Sequence, residues 1–77
     1  MLKDLLEYLA KSIVDDPDQV HVDATETEGT VLLELTVAKD DVGKVIGKQG
    51  RIARALRTIV KASAVRDGKR AIVEIVD

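Results

Sequence analysis

Hydrophobic residues recur at two spacings along the chain and predict six elements of secondary structure. Apolar residues follow a helical period over residues 2–14, and Asp15-Asp16-Pro17-Asp18 should end this helix because proline disfavours helical backbone in the residue before it. Apolar and polar residues then alternate over residues 20–25 and again over residues 31–37. This alternation is typical of half-buried strands, and the stretch 25–29 between them is expected to be the turn of a hairpin.

Two more helices and a strand are expected in the second half. Asp40 or Asp41 should cap a short helix that contains Val42, Val45 and Ile46 and stops at Gly47. A longer helix is predicted from about residue 50 to residue 65, and a last strand over residues 71–75. The apolar stripe of the longer helix consists of Ile52, Leu56, Ile59, Val60 and Ala64.

The resulting order, α-β-β-α-α-β, predicts an α+β fold. Each strand has one clearly apolar face, so three helices can pack on one face of a three-stranded sheet. The opposite face is mixed, and its apolar residues Leu32, Ile72 and Val76 are either ordinary exposed side chains or part of a self-association patch. We expect residues 1–77 to form a single domain.

The composition narrows the class of protein. The chain has no cysteine, which excludes disulfides and cysteine-bound zinc. It shows neither a signal peptide nor an apolar run of about 18 residues that would cross a bilayer. We therefore expect a soluble intracellular protein, and a small core that self-association or a partner chain would supplement.

Charge is divided between the two halves of the chain. The net charge is −2, but residues 1–38 carry two basic and nine acidic groups, whereas residues 39–70 carry ten basic and three acidic groups. A charged run is often only a solvated face. A local positive field can nevertheless attract a polyanion to a protein whose total charge is negative.

The most informative stretch is a pair of glycines between the two later helices. Gly47 can end the first of these helices, and Gly50 begins the next without a side chain in the way. The free N–H groups and the positive dipole end of the second helix then point at whatever lies over the loop, an arrangement that binds phosphate oxygens. Lys48 and Gln49 form the tip of this Gly-x-x-Gly (GxxG) loop.

Further basic residues extend the site along the second helix. Lys44 and Arg51 flank the loop, and Arg54, Arg57 and Lys61 follow on one side of the helix. Such a narrow cationic track suits a single strand of nucleic acid. Val45 and Ile46 are candidates for the floor of an aliphatic groove for bases, although at least one of the two should also serve the core.

Several other interpretations compete with this one. The GxxG sequence alone is more often a simple turn between helices. The two other glycine-rich phosphate-binding motifs, Walker A and the dinucleotide-binding motif, do not match the glycine spacing of this chain. A protein-assembly module with weak or no RNA binding, and a binder of single-stranded DNA, remain alternatives. We expect no enzyme, metal or cofactor, since His21 stands alone and the carboxylates of residues 15–18 lack EF-hand spacing.

At this point the motif resembles a known family. Val45-Ile46-Gly47-Lys48-Gln49-Gly50 resembles the VIGxxG signature of KH domains, and the helix and strand before the core motif resemble the bacterial type II arrangement. With its length and element order, nearly the whole chain is similar to the small bacterial KhpA-type KH proteins. The scarcity of aromatic residues is compatible with that family, which holds bases without stacking platforms.

The resemblance implies a function and partners. It implies cytoplasmic binding of single-stranded RNA, as an RNA chaperone or post-transcriptional regulator, and in some bacteria a link to cell shape and division. It also implies a homodimer, or a heterodimer with a larger KhpB-type KH protein. Gly47, Lys48, Gln49 and Gly50 carry over from the family motif, whereas the basic residues beyond the loop rest on the spacing argument alone.

Overall fold

The six predicted elements occur in the predicted order in a computed structural model, which describes residues 1–76. Short 3-10 turns at Pro17–Gln19, Lys39–Asp41 and Lys48–Gly50 connect some of them. The helices and strands are α1 (Leu2–Lys11), β1 (His21–Thr27), β2 (Thr30–Thr36), α2 (Val42–Ile46), α3 (Arg51–Arg66) and β3 (Arg70–Val76).

The three strands form one sheet in the order β1-β2-β3. Strands β1 and β2 are an antiparallel hairpin, and β3 lies parallel to β2 because the two intervening helices carry the chain back across the sheet. Val22, Leu33 and Val73 are buried on the face that the helices cover. The expected α+β fold, with three helices on one face of a three-stranded sheet, is confirmed.

The hairpin is tighter than the sequence pattern predicts. Strand β1 continues to Thr27, which pairs with Thr30, so the turn contains only Glu28 and Gly29 instead of the five predicted residues. Both turn residues have positive φ, at 50° and 81°. This is the backbone of a two-residue type I′ turn, whose twist matches that of the flanking strands.

Helix α1 ends three residues earlier than predicted. Ile13 and Val14 both donate their backbone N–H to the carbonyl of Ala10, at 3.0 and 3.2 Å, and form a turn instead of further helix. The carbonyl of Tyr8 accepts both the Ser12 hydroxyl, at 2.8 Å, and the Ser12 backbone N–H, at 3.1 Å. Ile13 and Val14 still pack against the core from this turn.

Helix α3 buries a narrower stripe than its sequence suggests. Leu56, Val60 and Ala64 are buried as expected, and Ala53 joins them. Ile59 was predicted in this stripe, but it is 43% exposed. It lies next to Val60 in the sequence, about 100° around the helix, and so falls outside the arc that contacts the sheet.

Candidate nucleic-acid interface

The loop between α2 and α3 has an unusual backbone. Helix α2 ends at Gly47, whose φ is 76° and ψ is 172°. Gln49 and Gly50 also have positive φ, at 58° and 73°. Gly50 donates its N–H to the carbonyl of Gly47 at 3.1 Å, so the GxxG segment closes into one tight turn between the two helices.

Gly47 is required by close packing as well as by its backbone angles. A Cβ atom at this position would lie 2.6 Å from Cγ1 and 2.9 Å from the backbone nitrogen of Ile52. The start of α3 therefore packs directly against the Gly47 backbone. By contrast, a Cβ atom at Gly50 would meet nothing within 4 Å, so the side of the loop at Gly50 is open.

The loop tip is accessible and faces a helix N-terminus. Lys48 and Gln49 are exposed, and the flanking glycines are half-buried. Gly50 is the N-cap residue of helix α3, and no side chain caps the N-terminus of this helix. The positive end of the helix dipole thus lies beside an exposed lysine, the combination that favours an anionic group such as a phosphate.

The predicted cationic track continues along α3. Arg51 and Arg54 are exposed, and within residues 1–76 neither they nor Lys48 form an ion pair with a carboxylate. Arg57 is exposed but held, because its Nε donates to the carbonyl of Val73 in the edge strand β3 at 3.2 Å. The Arg57 side chain therefore lies on the side of α3 that faces β3.

Val45 and Ile46 take different roles. Val45 is fully buried and belongs to the core, whereas Ile46 is 37% exposed beside the loop. Ile46 is therefore accessible at the surface, whereas Val45 is not. The expectation that at least one of the pair serves the core thus applies to Val45.

Lys44 differs from the other cations named for this site. Its ammonium forms ion pairs with the Asp15 carboxylate and, at 3.8 Å, with the Asp41 carboxylate. The hydrogen bond that it donates to Asp15 raises the pKa of Lys44 above its ordinary value. Lys44 lies near the loop as predicted, but its ammonium is already paired with side chains of this chain.

Asp41 does not make the predicted helix cap. It precedes α2, but its side chain makes no capping hydrogen bond. Its buried carboxylate instead accepts the backbone N–H of Asp15 at 3.2 Å and of Asp16 at 3.1 Å. These bonds tie the segment after α1 to the start of α2. Sequence reasoning missed this role of Asp41 because its only signal is an aspartate at the start of a helix, a position that is also typical of a helix cap.

The open face of the sheet carries the opposite charge. The strand register aligns Asp23, Glu34 and Glu74 in one row across all three strands. Like charges in neighbouring positions give this face a negative potential that repels a polyanion.

Neither a metal-binding cluster nor a membrane-spanning helix occurs in the described part of the chain. In residues 1–76 no group of three or more histidine, aspartate or glutamate side chains is arranged to hold a metal ion. No helix in the same range has the length and apolar character needed to span a bilayer.

Comparison with known proteins identifies the family. The family model for the KhpA/KhpB KH domain matches residues 3–75. The chain belongs to this family. Its type II KH fold and the GxxG loop described above agree with that assignment.

Relatives and solved structures agree with the family. The RNA-binding protein KhpA of Clostridium acetobutylicum is 57% identical over 75 residues, covering 97% of this chain and 100% of the relative. The RNA-binding protein KhpA of Aquifex aeolicus is 54% identical, covering 99% of this chain and 96% of the relative. These names describe a binding protein, in line with the expectation that the chain is not an enzyme.

The fold also occurs within a larger protein of known structure. A crystal structure of Era in complex with MgGDPNP and nucleotides 1506–1542 of 16S ribosomal RNA superposes with a TM-score of 0.67 and 14% sequence identity. The match covers 96% of this chain and 28% of the Era chain. At this identity the similarity concerns the fold alone.

Proposed function

We propose that this protein binds single-stranded RNA and grips its sugar-phosphate backbone with the loop Gly47-Lys48-Gln49-Gly50. Phosphate oxygens contact Lys48 and the N-terminal N–H groups of α3, and the strand continues along Arg51, Arg54 and Arg57. Ile46 offers an aliphatic surface to a base. We also propose that residues 1–77 form one KH domain.

One observation carries this proposal: Lys48 and Gln49 are exposed at an uncapped N-terminus of the 16-residue helix α3. The lysine has no carboxylate partner within residues 1–76, so its charge is available to a ligand. The close contact between Gly47 and Ile52 fixes the loop in this shape before a ligand arrives. Preorganisation of this kind lowers the entropic cost of binding.

The site fits a single strand better than a duplex or a small anion. A tight loop followed by cations along one side of α3 forms a narrow line of contacts rather than a pocket. KH domains clamp about four nucleotides with such a loop. The relatives at 57% and 54% identity are named RNA-binding proteins, which supports RNA as the ligand of this chain.

The cellular role that we propose follows from the family. A short grip on RNA suits an RNA chaperone or post-transcriptional regulator that acts in the cytoplasm, and we propose this role together with the link to cell shape that the family resemblance implies. We also propose that the protein acts as a homodimer or as a heterodimer with a larger KhpB-type protein. Exposed apolar side chains on α3 and on the open sheet face, Ile59 and Ile72 among them, support association. Two weak sites joined in a dimer gain avidity.

The direct test is a binding titration followed by fluorescence anisotropy. A labelled eight-nucleotide single-stranded RNA is titrated with the protein at several salt concentrations, beside a DNA of the same sequence and an RNA duplex. We expect the single-stranded RNA to bind in preference to the duplex, with a salt slope of about −0.7 per phosphate contact.

The competing functions give different results in the same assay. Equal binding of RNA and DNA single strands would assign the site to single-stranded nucleic acid in general. An absence of binding even at low salt, in a protein that forms a complex with another chain, would favour the assembly module and contradict the RNA proposal.

A further inference from the structure

Lys44 and Asp15 form an ion pair next to the GxxG loop. Lys44 lies on α2 three positions before Gly47, and its ammonium donates a hydrogen bond to the Asp15 carboxylate from the segment after α1. The Lys44 side chain is 43% exposed and that of Asp15 is 78% exposed. The pair therefore stands in solvent at the upstream end of the loop, where an incoming RNA strand can reach it.

Asp15 is held in this position by a second contact. The buried carboxylate of Asp41 accepts the backbone N–H groups of Asp15 and Asp16. The bond to Asp15 uses its backbone, so the Asp15 side chain stays free to pair with Lys44. Asp41 is thus a positioning residue that acts through the backbone of its neighbour, and it adds its own charge to Lys44 at 3.8 Å.

We propose that Asp15 is an internal competitor of RNA phosphate for Lys44 and thereby limits the affinity and the upstream extent of the RNA site. This inference rests on the proposed function, because it concerns regulation of the same site. The Asp15 carboxylate presents to Lys44 the same charged oxygens that a phosphate presents. A phosphate must displace it before Lys44 contributes to binding.

The competition has a measurable size. An exposed ion pair is weak, so it does not block RNA from the whole site, but it withholds one cation from the contacts that release counterions. Freeing that cation should steepen the salt slope by about 0.7, which at about 0.1 M salt corresponds to roughly fivefold tighter binding.

The test compares two variants that each replace one aspartate of the segment after α1 by the uncharged asparagine. Asp15→Asn removes the competitor but keeps the backbone N–H that Asp41 binds. Asp18→Asn makes the same change in net charge three residues later, at an exposed side chain that makes no contact with Lys44. We expect D15N to bind the eight-nucleotide RNA about fivefold more tightly, with a steeper salt slope, and D18N to bind much as the unmodified protein does.

A second pair of variants assigns the gain to Lys44. In the unmodified protein, Lys44→Ala should lower RNA affinity less than it does in the D15N background, because Asp15 competes with phosphate for the ammonium. In the D15N background, the same substitution should remove the gain. An RNA-free readout accompanies these titrations, since the pKa of Lys44 followed by NMR should be lower in D15N than in the unmodified protein and unchanged in D18N.

The outcomes separate this inference from the proposed function. Equal gains in D15N and D18N, or a D15N gain that survives Lys44→Ala, would show a general field effect and overturn the competition. RNA binding that depends on Lys48 but is unaffected by D15N would overturn it while leaving the proposed function intact. If neither the unmodified protein nor D15N binds RNA, the proposed function itself fails.

Discussion

The backbone of Gly47 lies against Ile52 so closely that a Cβ atom on the glycine would be 2.6 Å from Cγ1 of the isoleucine. The contact joins the end of α2 to the first turn of α3 and gives the GxxG loop its shape. Gly50, at the other end of the loop, makes no comparable contact. The two glycines of the motif therefore have different structural roles.

This difference predicts unequal effects of alanine at the two positions. Gly47→Ala combines a backbone region almost restricted to glycine with a clash against Ile52, and we expect it to lower the free energy of unfolding by at least about 2 kcal/mol. In Gly50→Ala the added Cβ meets open space, so only the left-handed backbone of this residue opposes alanine, and the free energy of unfolding should fall by about 1 kcal/mol. Urea denaturation of both variants measures the difference. Equal losses would contradict the packing role of Gly47.

Asp41 and Asp40 offer a second matched pair. Asp41→Ala leaves the N–H groups of Asp15 and Asp16 without their acceptor and should destabilise the protein by about 1–3 kcal/mol. Asp40→Ala removes the same charge from an exposed neighbour and should change stability by less than about 0.5 kcal/mol. Thermal or urea unfolding checks both values, and comparable losses would show that the Asp41 bonds do not stabilise the fold.

The arginines of α3 are expected to contact phosphate rather than bases. Arg54→Ala and Arg57→Ala should each lower affinity for all RNA sequences alike and flatten the salt slope by about 0.7. Arg66→Ala, on the last turn of the same helix, removes the same charge far from the loop and should leave the slope unchanged. Titrations with several RNA sequences test this. A loss confined to particular sequences would mean that Arg54 or Arg57 reads bases.

Self-association is tested by the mass in solution. Light scattering at micromolar concentration should give a mass above that of one chain. Ile59→Asp changes the exposed side of α3, and Ile72→Asp changes the open sheet face, so whichever variant restores the monomer locates the interface. A clean monomer in the absence of any partner would contradict the homodimer.

The sequence predicted the fold and the loop well because both depend on local signals. Alternating residues defined the strands, helical spacing defined the helices, and two glycines around Lys48 and Gln49 marked the loop. The errors arose where local patterns are ambiguous. The sequence predicts a longer turn around Glu28 and Gly29 because Thr25 and Thr27 are compatible with either turn or strand. Ile59 fits a helical stripe that the sheet only partly covers.

The contacts around Lys44 were beyond the reach of local reasoning. Spacing along α2 groups Lys44 with the other cations, but its partner Asp15 is 29 positions away in the sequence. Asp41 has the sequence context of a helix cap, yet it binds backbone groups 25 and 26 positions away. Such contacts form only when the segment after α1 packs beside α2, which no periodicity encodes.

We propose above that the exposed tip of the GxxG loop grips the RNA backbone. Replacing Lys48 and Gln49 with aspartate tests it, because the exposed tip should tolerate both changes in the fold while two carboxylates repel phosphate. A control with the same composition and charge is available in Lys3→Asp combined with Gln19→Asp, both exposed and outside the loop. Lys3 lies far from the loop along α3, because its neighbour Leu2 lines the same surface hollow as Arg66, which is at the end of α3 away from the loop.

The deciding measurement is the affinity of both double variants for the eight-nucleotide single-stranded RNA, with circular dichroism to show that each is folded. We predict that the Lys48 and Gln49 variant loses RNA binding while the Lys3 and Gln19 variant retains most of it. Unchanged affinity in the loop variant, or an equal loss in the two, would contradict the assignment of RNA binding to this loop.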